Sequence, residues 1–299
     1  MSEAEMKNIG NSNRITRDYI DSLRIETRYM DSTNPDPTYT LFGETFASPI
    51  MTAALSHLNQ FMFEGASKAL AVGAQAANAA LWIGMAEEEE IEMCVSTGAK
   101  VIEIIKPYAD RELIYKKMKH AEAHGLLAVG VDIDHPFCED GSPDVVHGHP
   151  MKALTTAELS ELCKESKLPF IVKGVLSAWD AERSLAAGVS GMVLSHHNNR
   201  IEYAVPPLMM LPEIAKLTNG QVPLFVDCEI RTGMDAFKAL ALGASGVCIG
   251  RPLMAALRKD SENGVKEYLE HATAELKQAM AYTACTTLAK MDPSVIHRA

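Results

Sequence analysis

Two histidines, two asparagines and an arginine stand together in SHHNNR, Ser195 to Arg200, directly after the apolar run Gly191 to Leu194. An imidazole takes up a proton near neutral pH. The guanidinium of Arg200, three residues beyond His197, can grip a carboxylate through paired hydrogen bonds. Together these residue types point to proton abstraction from a small anionic substrate. Other ionisable residues close neighbouring apolar runs: Asp132 and Asp134 in VDID, Lys173 in IVKG, and Asp227, Glu229 and Arg231 in VDCEIR. Charges in apolar strands are costly unless they are paired or bind something.

The elements that must carry these groups recur regularly. Apolar runs rich in Val, Ile and Ala are expected as strands over Ser48–Ala54, Gly73–Leu81, Ala99–Lys106, Leu126–Asp134, Pro169–Val175, Gly191–His197, Pro223–Ile230 and Gly246–Pro252. Continuous apolar strands suit a parallel sheet buried on both faces. Amphipathic segments lie between them, and several close on a glycine: Gly98, Gly125, Gly188 and Gly243. Strand–helix units in this number predict an α/β fold, a (β/α)8 barrel, as a single domain over 1–299; an open doubly wound sheet is the rival. An N-terminal extension, 1–45, should cover the bottom or side. The segment 135–153 should form a loop at the catalytic mouth, and closing helices should follow from about Lys259.

Composition bounds the function. The 299 residues are 47% apolar and carry a net charge of −11, which disfavours nucleic acid and anionic membrane as partners. Any anionic ligand must be held by local positive charge. Six scattered cysteines without a CxxC pair, a polar N-terminus and no apolar run of membrane-spanning length suggest a reduced, cytoplasmic protein. The segments IRTG and IGRP, following the last two strands, have the place of a barrel phosphate site, with Arg231 and Arg251 adding charge.

The stretches PFIVKGVLSAWDAERSLAAGVSGMVLSHHNNR and VPLFVDCEIRTGMDAFKALALGASGVCIGRPLMAAL resemble the FMN-dependent α-hydroxy-acid oxidase/dehydrogenase family. The likeness is dense from about Pro169 to Leu257 and weaker on either side. It implies FMN as cofactor and oxidation of a small 2-hydroxy acid to the 2-oxo acid. In that comparison His197 matches the base, Asp132 the aspartate supporting it, and Arg200 the clamp on the substrate carboxylate. Lys173 matches the lysine beside the flavin ring. Ala53 and Ala54, within Thr52 to Leu55, lie against that ring, while Ser195, Asp227, Arg231, Gly250 and Arg251 match positions around the cofactor. A homotetramer or octamer is also implied.

Departures from the pattern are concentrated. Cys228 and Glu229 replace a Gly–Gly pair, His196 replaces an asparagine, and Asn198 and Asn199 replace small residues. Lys106 stands where a tyrosine is usual, the segment HPFCED lacks a second substrate arginine, and no N-terminal tyrosine motif is found. A carboxylate at 229 opposes a phosphate, so Glu229 must turn away, pair with an arginine, or weaken FMN. It leaves open a barrel enzyme of another class: a flavin-using isomerase, or a lyase or hydrolase without FMN. No metal site is expected, because His147 and His149 read as solvated loop residues rather than ligands beside His135, Asp132 and Asp134. Cys228 reads as a buried structural thiol.

Overall fold

The computed structural model describes residues 9–299, so the first eight residues of the N-terminal extension lie outside the described part. Eight parallel strands form the wall: β1 (Ile50–Thr52), β2 (Leu81–Gly84), β3 (Val101–Ile105), β4 (Ala128–Asp132), β5 (Phe170–Val175), β6 (Gly191–Leu194), β7 (Leu224–Val226) and β8 (Gly246–Ile249). Their order, β1-β8-β7-β6-β5-β4-β3-β2, is that of a cylinder. The two end strands meet through a Leu55–Ile83 parallel bridge, and the Thr52 hydroxyl accepts the Trp82 N–H at 2.8 Å. The (β/α)8 barrel is therefore what the strand count predicts.

Strand side chains alternate between faces, and this alternation builds the site. Met51, Ile104, Ile171, Val193, Phe225 and Cys248 point inward and pack around Trp82, whose ring meets Phe225 edge-on at 5.1 Å. Two residues further along each strand, the inward position becomes Ala53, Lys106, Lys173, Ser195, Asp227 and Gly250. On β4 it becomes Asp132, which is in register with Lys173 on β5. The interior thus changes from apolar to polar within one layer, at the strands' C-terminal ends.

The helices around the wall are α1 (Ser12–Ser22), α2 (Ala66–Ala76), α3 (Glu88–Ser96), α4 (Arg111–Ala123), α5 (Thr156–Glu165), α6 (Ala178–Ala187), α7 (Pro207–Thr218), α8 (Gly233–Ala241) and α9 (Arg251–Tyr282). Local chemistry sets their ends. Ser177 caps α6 by accepting the Asp180 N–H, and Gly188 ends it in the left-handed region at φ 88°. Thr155 and Glu158 form a reciprocal capping box on α5.

One expectation needs correction. The run Gly73–Leu81 is not one strand: its first four residues finish α2, and β2 begins at Leu81. Small residues there serve close helix packing, since a Cβ on Gly73 would come within 2.6 Å of the Glu262 carbonyl and of Val265 on α9. The closing helix falls where it was expected: non-helical geometry at Asp260 and Ser261 divides α9 into the eighth barrel helix before that kink and the closing helix after it.

The N-terminal segment divides. A hairpin, Tyr39–Leu41 with Glu44–Phe46, sends Tyr39, Leu41 and Phe46 into the barrel's apolar interior layer. Helix α1 instead lies by the loops after β6 and β7, where Thr16 and Arg17 reach His196 and Glu229. Residues Leu23–Ile25 pair antiparallel with Ile296–Arg298, tying the two ends of the described chain together.

Candidate active site

A cavity of about 520 Å³ opens at the strands' C-terminal ends. Ala53, Ala54 and Gly250 form part of one wall, Lys173 and His197 stand at one end, and Glu229, Arg231 and Arg251 line the other.

At the first end the charges interlock. The Lys106 ammonium lies 2.6 Å from Asp132 Oδ2, and Lys173 Nζ lies 3.2 Å from Asp132 Oδ1. Burial alone would raise the Asp132 carboxyl, but the Lys106 and Lys173 charges outweigh it and hold the group well below the usual carboxylate range. Asp134 shifts the same way: burial opposes, and Lys173 and His197 prevail. Burial would neutralise Lys173, yet Asp132, Asp134 and Asp227 hold its ammonium charged, above the ordinary lysine range.

His197 Nδ1 lies 2.8 Å from Asp134 Oδ1, 3.3 Å from Lys173 Nζ and 3.9 Å from Asp132 Oδ1. A lysine can only donate and a carboxylate only accept. Lys173 already has Asp132, so Nδ1–H is assigned as the donor to Asp134, which leaves the Nε2 lone pair available. The expected partner of the histidine, Asp132, is therefore displaced by Asp134. The reason is a backbone one. Gly174 sits at a register shift in β5 with φ 97°, and a Cβ there would lie 2.4 Å from the Asp134 carboxyl carbon. Glycine makes the space through which Asp134 reaches the imidazole.

The other expected residues are placed as follows. Ser195 is fully buried below the cavity; its Oγ accepts the His197 N–H at 3.0 Å and lies 3.6 Å from Cys228 Sγ. Asp227 lines the cavity with its carboxylate 4.0 Å from Lys173. Arg200 does not line it: its Nη2 donates to Asp144 and to the Phe137 carbonyl, both in the mouth segment. That segment also brings His135 over the site, its ring 4.9 Å from that of His197. Burial, then the Lys106, His197 and Arg200 charges, lower His135 to about 4, so it stays neutral at neutral pH. His147 stacks on His57 and His149 meets Tyr108, away from Asp132 and Asp134. His196 turns from the cavity to pin α1, its Nε2 2.9 Å from Thr16 Oγ1.

At the second end Glu229 pairs with both arginines, Arg231 and Arg251. Its carboxylate is 4% exposed, whereas the guanidinium side chains are 53% and 51% exposed. Arg17 of α1 holds the Glu229 carbonyl at 2.8 Å and also bridges to Asp235 at 2.8 Å. Cys228 and Glu229 lie at φ 65° and 63°, in the left-handed region that costs about 1–2 kcal/mol for each side-chain-bearing residue. Burial, and then Asp227, push the Cys228 thiol above its ordinary range, so it stays protonated.

The family model for FMN-dependent dehydrogenases matches residues 4–153 and 138–298. The chain belongs to the FMN-dependent dehydrogenase family. Glycolate oxidase of Spinacia oleracea is 29% identical, over 89% of this chain and 82% of that protein. Glycolate oxidase 1 of Zea mays is 28% identical, over 88% and 80%. A mandelate oxidase variant solved with a monooxide FMN adduct superposes with a TM-score of 0.88 at 27% identity, covering 97% of this chain and 92% of that one. The resemblance to α-hydroxy-acid oxidases is thereby borne out, and the reading as a barrel enzyme without FMN gives way to it. This FMN-dependent dehydrogenase family member is an oxidoreductase with FMN as its cofactor.

The residues present fit that group. Small residues line one wall of the cavity, where a Cβ on Gly250 would lie 3.4 Å from the Ala53 Cβ. A buried ammonium faces it at one end, and two guanidinium groups stand at the other.

Sequence reasoning missed Asp134 as the histidine's partner, Lys106 as the second cation on Asp132, Asp144 as the partner of Arg200, and Arg17 as the support of Glu229. Only Asp134 and Lys106 carried a signal: each is an ionisable residue at or just beyond the end of an apolar run.

Proposed function

We propose that the protein oxidises a small 2-hydroxy acid to its 2-oxo acid, with His197 taking the proton. The observation that supports this most is the fixed imidazole, held by Asp134 at 2.8 Å beside the Lys173 ammonium at the cavity wall. Lys173 and the Ala53–Ala54 wall would hold the flavin ring, with Ser195 and Asp227 beneath and beside it; Gly250, Arg231 and Arg251 would hold the ribityl phosphate. Bound there, FMN supplies the acceptor for the two electrons leaving the substrate carbon.

The chain's own groups do the rest. With Nδ1–H committed to Asp134, the imidazole receives the substrate proton on Nε2. The adjacent carboxylates stabilise the resulting cation. Asp132, locked between Lys106 and Lys173, keeps Lys173 charged and oriented toward the cavity. Arg200 receives the substrate carboxylate at the rim, in competition with Asp144. The family likeness also supports a homotetramer or octamer, and the six free thiols support a cytoplasmic location.

The test is an absorbance spectrum of the purified protein, followed by anaerobic addition of glycolate, lactate or mandelate. Bleaching of bound flavin by at least one of them is expected. His197→Ala should slow that bleaching by about 10²–10⁴-fold while flavin stays bound. Unchanged bleaching in that variant would remove His197 from the role of base.

A further inference from the structure

We infer that the outer wall of the barrel carries a divalent transition-metal site, built from Glu92 on α3 with His120 and His124 at the end of α4. It is separate from the flavin cavity. None of the three lines that cavity: Glu92 is central in α3, and His120 and His124 lie at the C-terminal end of α4.

The geometry comes from two parallel neighbours in register. Glu88 pairs with Lys116 at 2.8 Å. One turn further along both helices, Glu92 faces His120. His120 and His124 are four residues apart, hence on one helix face. His120 Nε2 lies 3.3 Å and His124 Nε2 lies 3.6 Å from the same oxygen, Glu92 Oε1. Ligand atoms of all three lie within 4.8 Å of one another. Tetrahedral zinc with bonds of about 2.0–2.1 Å separates its ligand atoms by roughly 3.3 Å. The two measured nitrogen–oxygen separations are already close to that edge.

Ring orientation suits a cation there. His124 Nδ1 is 3.0 Å from the His120 carbonyl, which can only accept, so the ring proton sits on Nδ1. Its Nε2 is thereby turned toward Glu92 Oε1, the same oxygen that His120 Nε2 faces. The same Nδ1–H···O=C bond is the usual outer support of a metal-bound imidazole, fixing both tautomer and ring orientation. Two imidazoles and one carboxylate are a zinc-like donor set, with a water completing the tetrahedron. The ion would staple two outer helices, since it contacts nothing in the catalytic cavity.

The test uses tag-free, flavin-loaded protein, stripped with a chelator and dialysed against zinc chloride at micromolar concentration. One zinc per chain is expected. His124→Gln and Glu92→Gln both alter half-exposed or exposed side chains, so each should fold with wild-type flavin absorbance. Each should weaken zinc binding by about 10–100-fold or more. The double variant His147→Gln/His149→Gln, in the mouth segment, should keep full zinc binding. Zinc should raise the Tm of wild type but not of His124→Gln. The inference is overturned if wild type retains no zinc, or if zinc is lost with the mouth histidines and kept by the helix variants. A Tm rise equal in all variants would overturn the staple.

Discussion

The two ends of the flavin cavity solve the same problem, holding charge near a cofactor, in opposite ways. At the Lys173 end, two ammonium groups and two carboxylates are buried at strand ends with their charges paired. At the Arg251 end, one buried carboxylate sits between two half-exposed guanidinium groups, Arg231 on a loop and Arg251 at the start of α9. The first arrangement is fixed by the period of the strands, because Asp132 and Lys173 occupy in-register inward positions. The second depends on a strained turn and on a neighbouring helix that holds the Glu229 carbonyl. The Lys173 end is therefore rigid, while the Arg251 end can vary without disturbing the barrel.

The sharpest way to break this contrast is Lys173→Met. It leaves Asp134 facing only the imidazole and strips Asp132 of one cation, in a setting where losing one partner of a buried ion pair costs about 3–5 kcal/mol. A large fall in Tm together with loss of bound flavin is expected, by differential scanning calorimetry and absorbance. A stable, flavin-loaded variant would show that the ring end is not locked by charge.

Glu103 tests the same idea from the other face of β3. It is as buried as Asp132, but it points away from the barrel interior and its Oε2 has no hydrogen-bond partner among the described residues. Burial raises its carboxyl to about 7, with Lys117 only partly opposing. The folded value lies above the unfolded one, so the native state holds the extra proton between about 4.5 and about 7. Stability should thus fall as pH rises through that window and stay lower above it. Glu103→Gln should stabilise the protein at pH 8, by roughly 3 kcal/mol at most, and change little at pH 5. Equal denaturation midpoints for variant and wild type at pH 8 would refute this.

Legibility in the sequence followed the same division. The barrel, the polar layer at the strand ends and the positions of His197, Lys173, Asp227 and Gly250 could be read from apolar runs and what ends them. Strand period alone fixes where such residues point. The pairing of His197 with Asp134 could not be read, because it depends on the backbone conformation of Gly174 and the register shift beside it. Arg200 and Glu229 were recognisable as residues but not by their partners. Asp144 comes from a long mouth segment and Arg17 from an N-terminal helix, and no local pattern ties either to the site. The run Gly73–Leu81 misled because small apolar residues suit a buried strand and a closely packed helix equally well.

The Arg251 end, where the proposed function puts the phosphate, yields a smaller, opposite effect. Two guanidinium charges around one carboxylate leave a net of one positive charge against a phosphate of about two negative charges. Glu229→Gly should free both arginines and relieve a left-handed side chain. FMN affinity should rise by about tenfold, about 1.4 kcal/mol, while riboflavin affinity stays the same. Fluorescence titration of the two flavins separates them. Equal gains for both would place the effect in the ring pocket instead, and would erase the contrast between the two ends.

The smallest effect belongs to the rim. Asp144 occupies Arg200 and also lies 3.3 Å from His135 Nδ1. On the proposed function a substrate carboxylate would displace it, and Asp144 would set part of the cost of binding without taking part in the chemistry. Asp144→Asn keeps the shape and removes the charge. Exposed and half-exposed ion pairs contribute about 0–1 kcal/mol, so KM for the best 2-hydroxy acid should fall only about two- to fivefold, with kcat unchanged. Arg200→Lys should move KM the other way, because an ammonium cannot reproduce the guanidinium fork. If the two variants shift KM in the same direction, Arg200 and Asp144 are holding the mouth segment in place rather than competing over substrate. The rim would then belong with the rigid end of the cavity, not with the variable one.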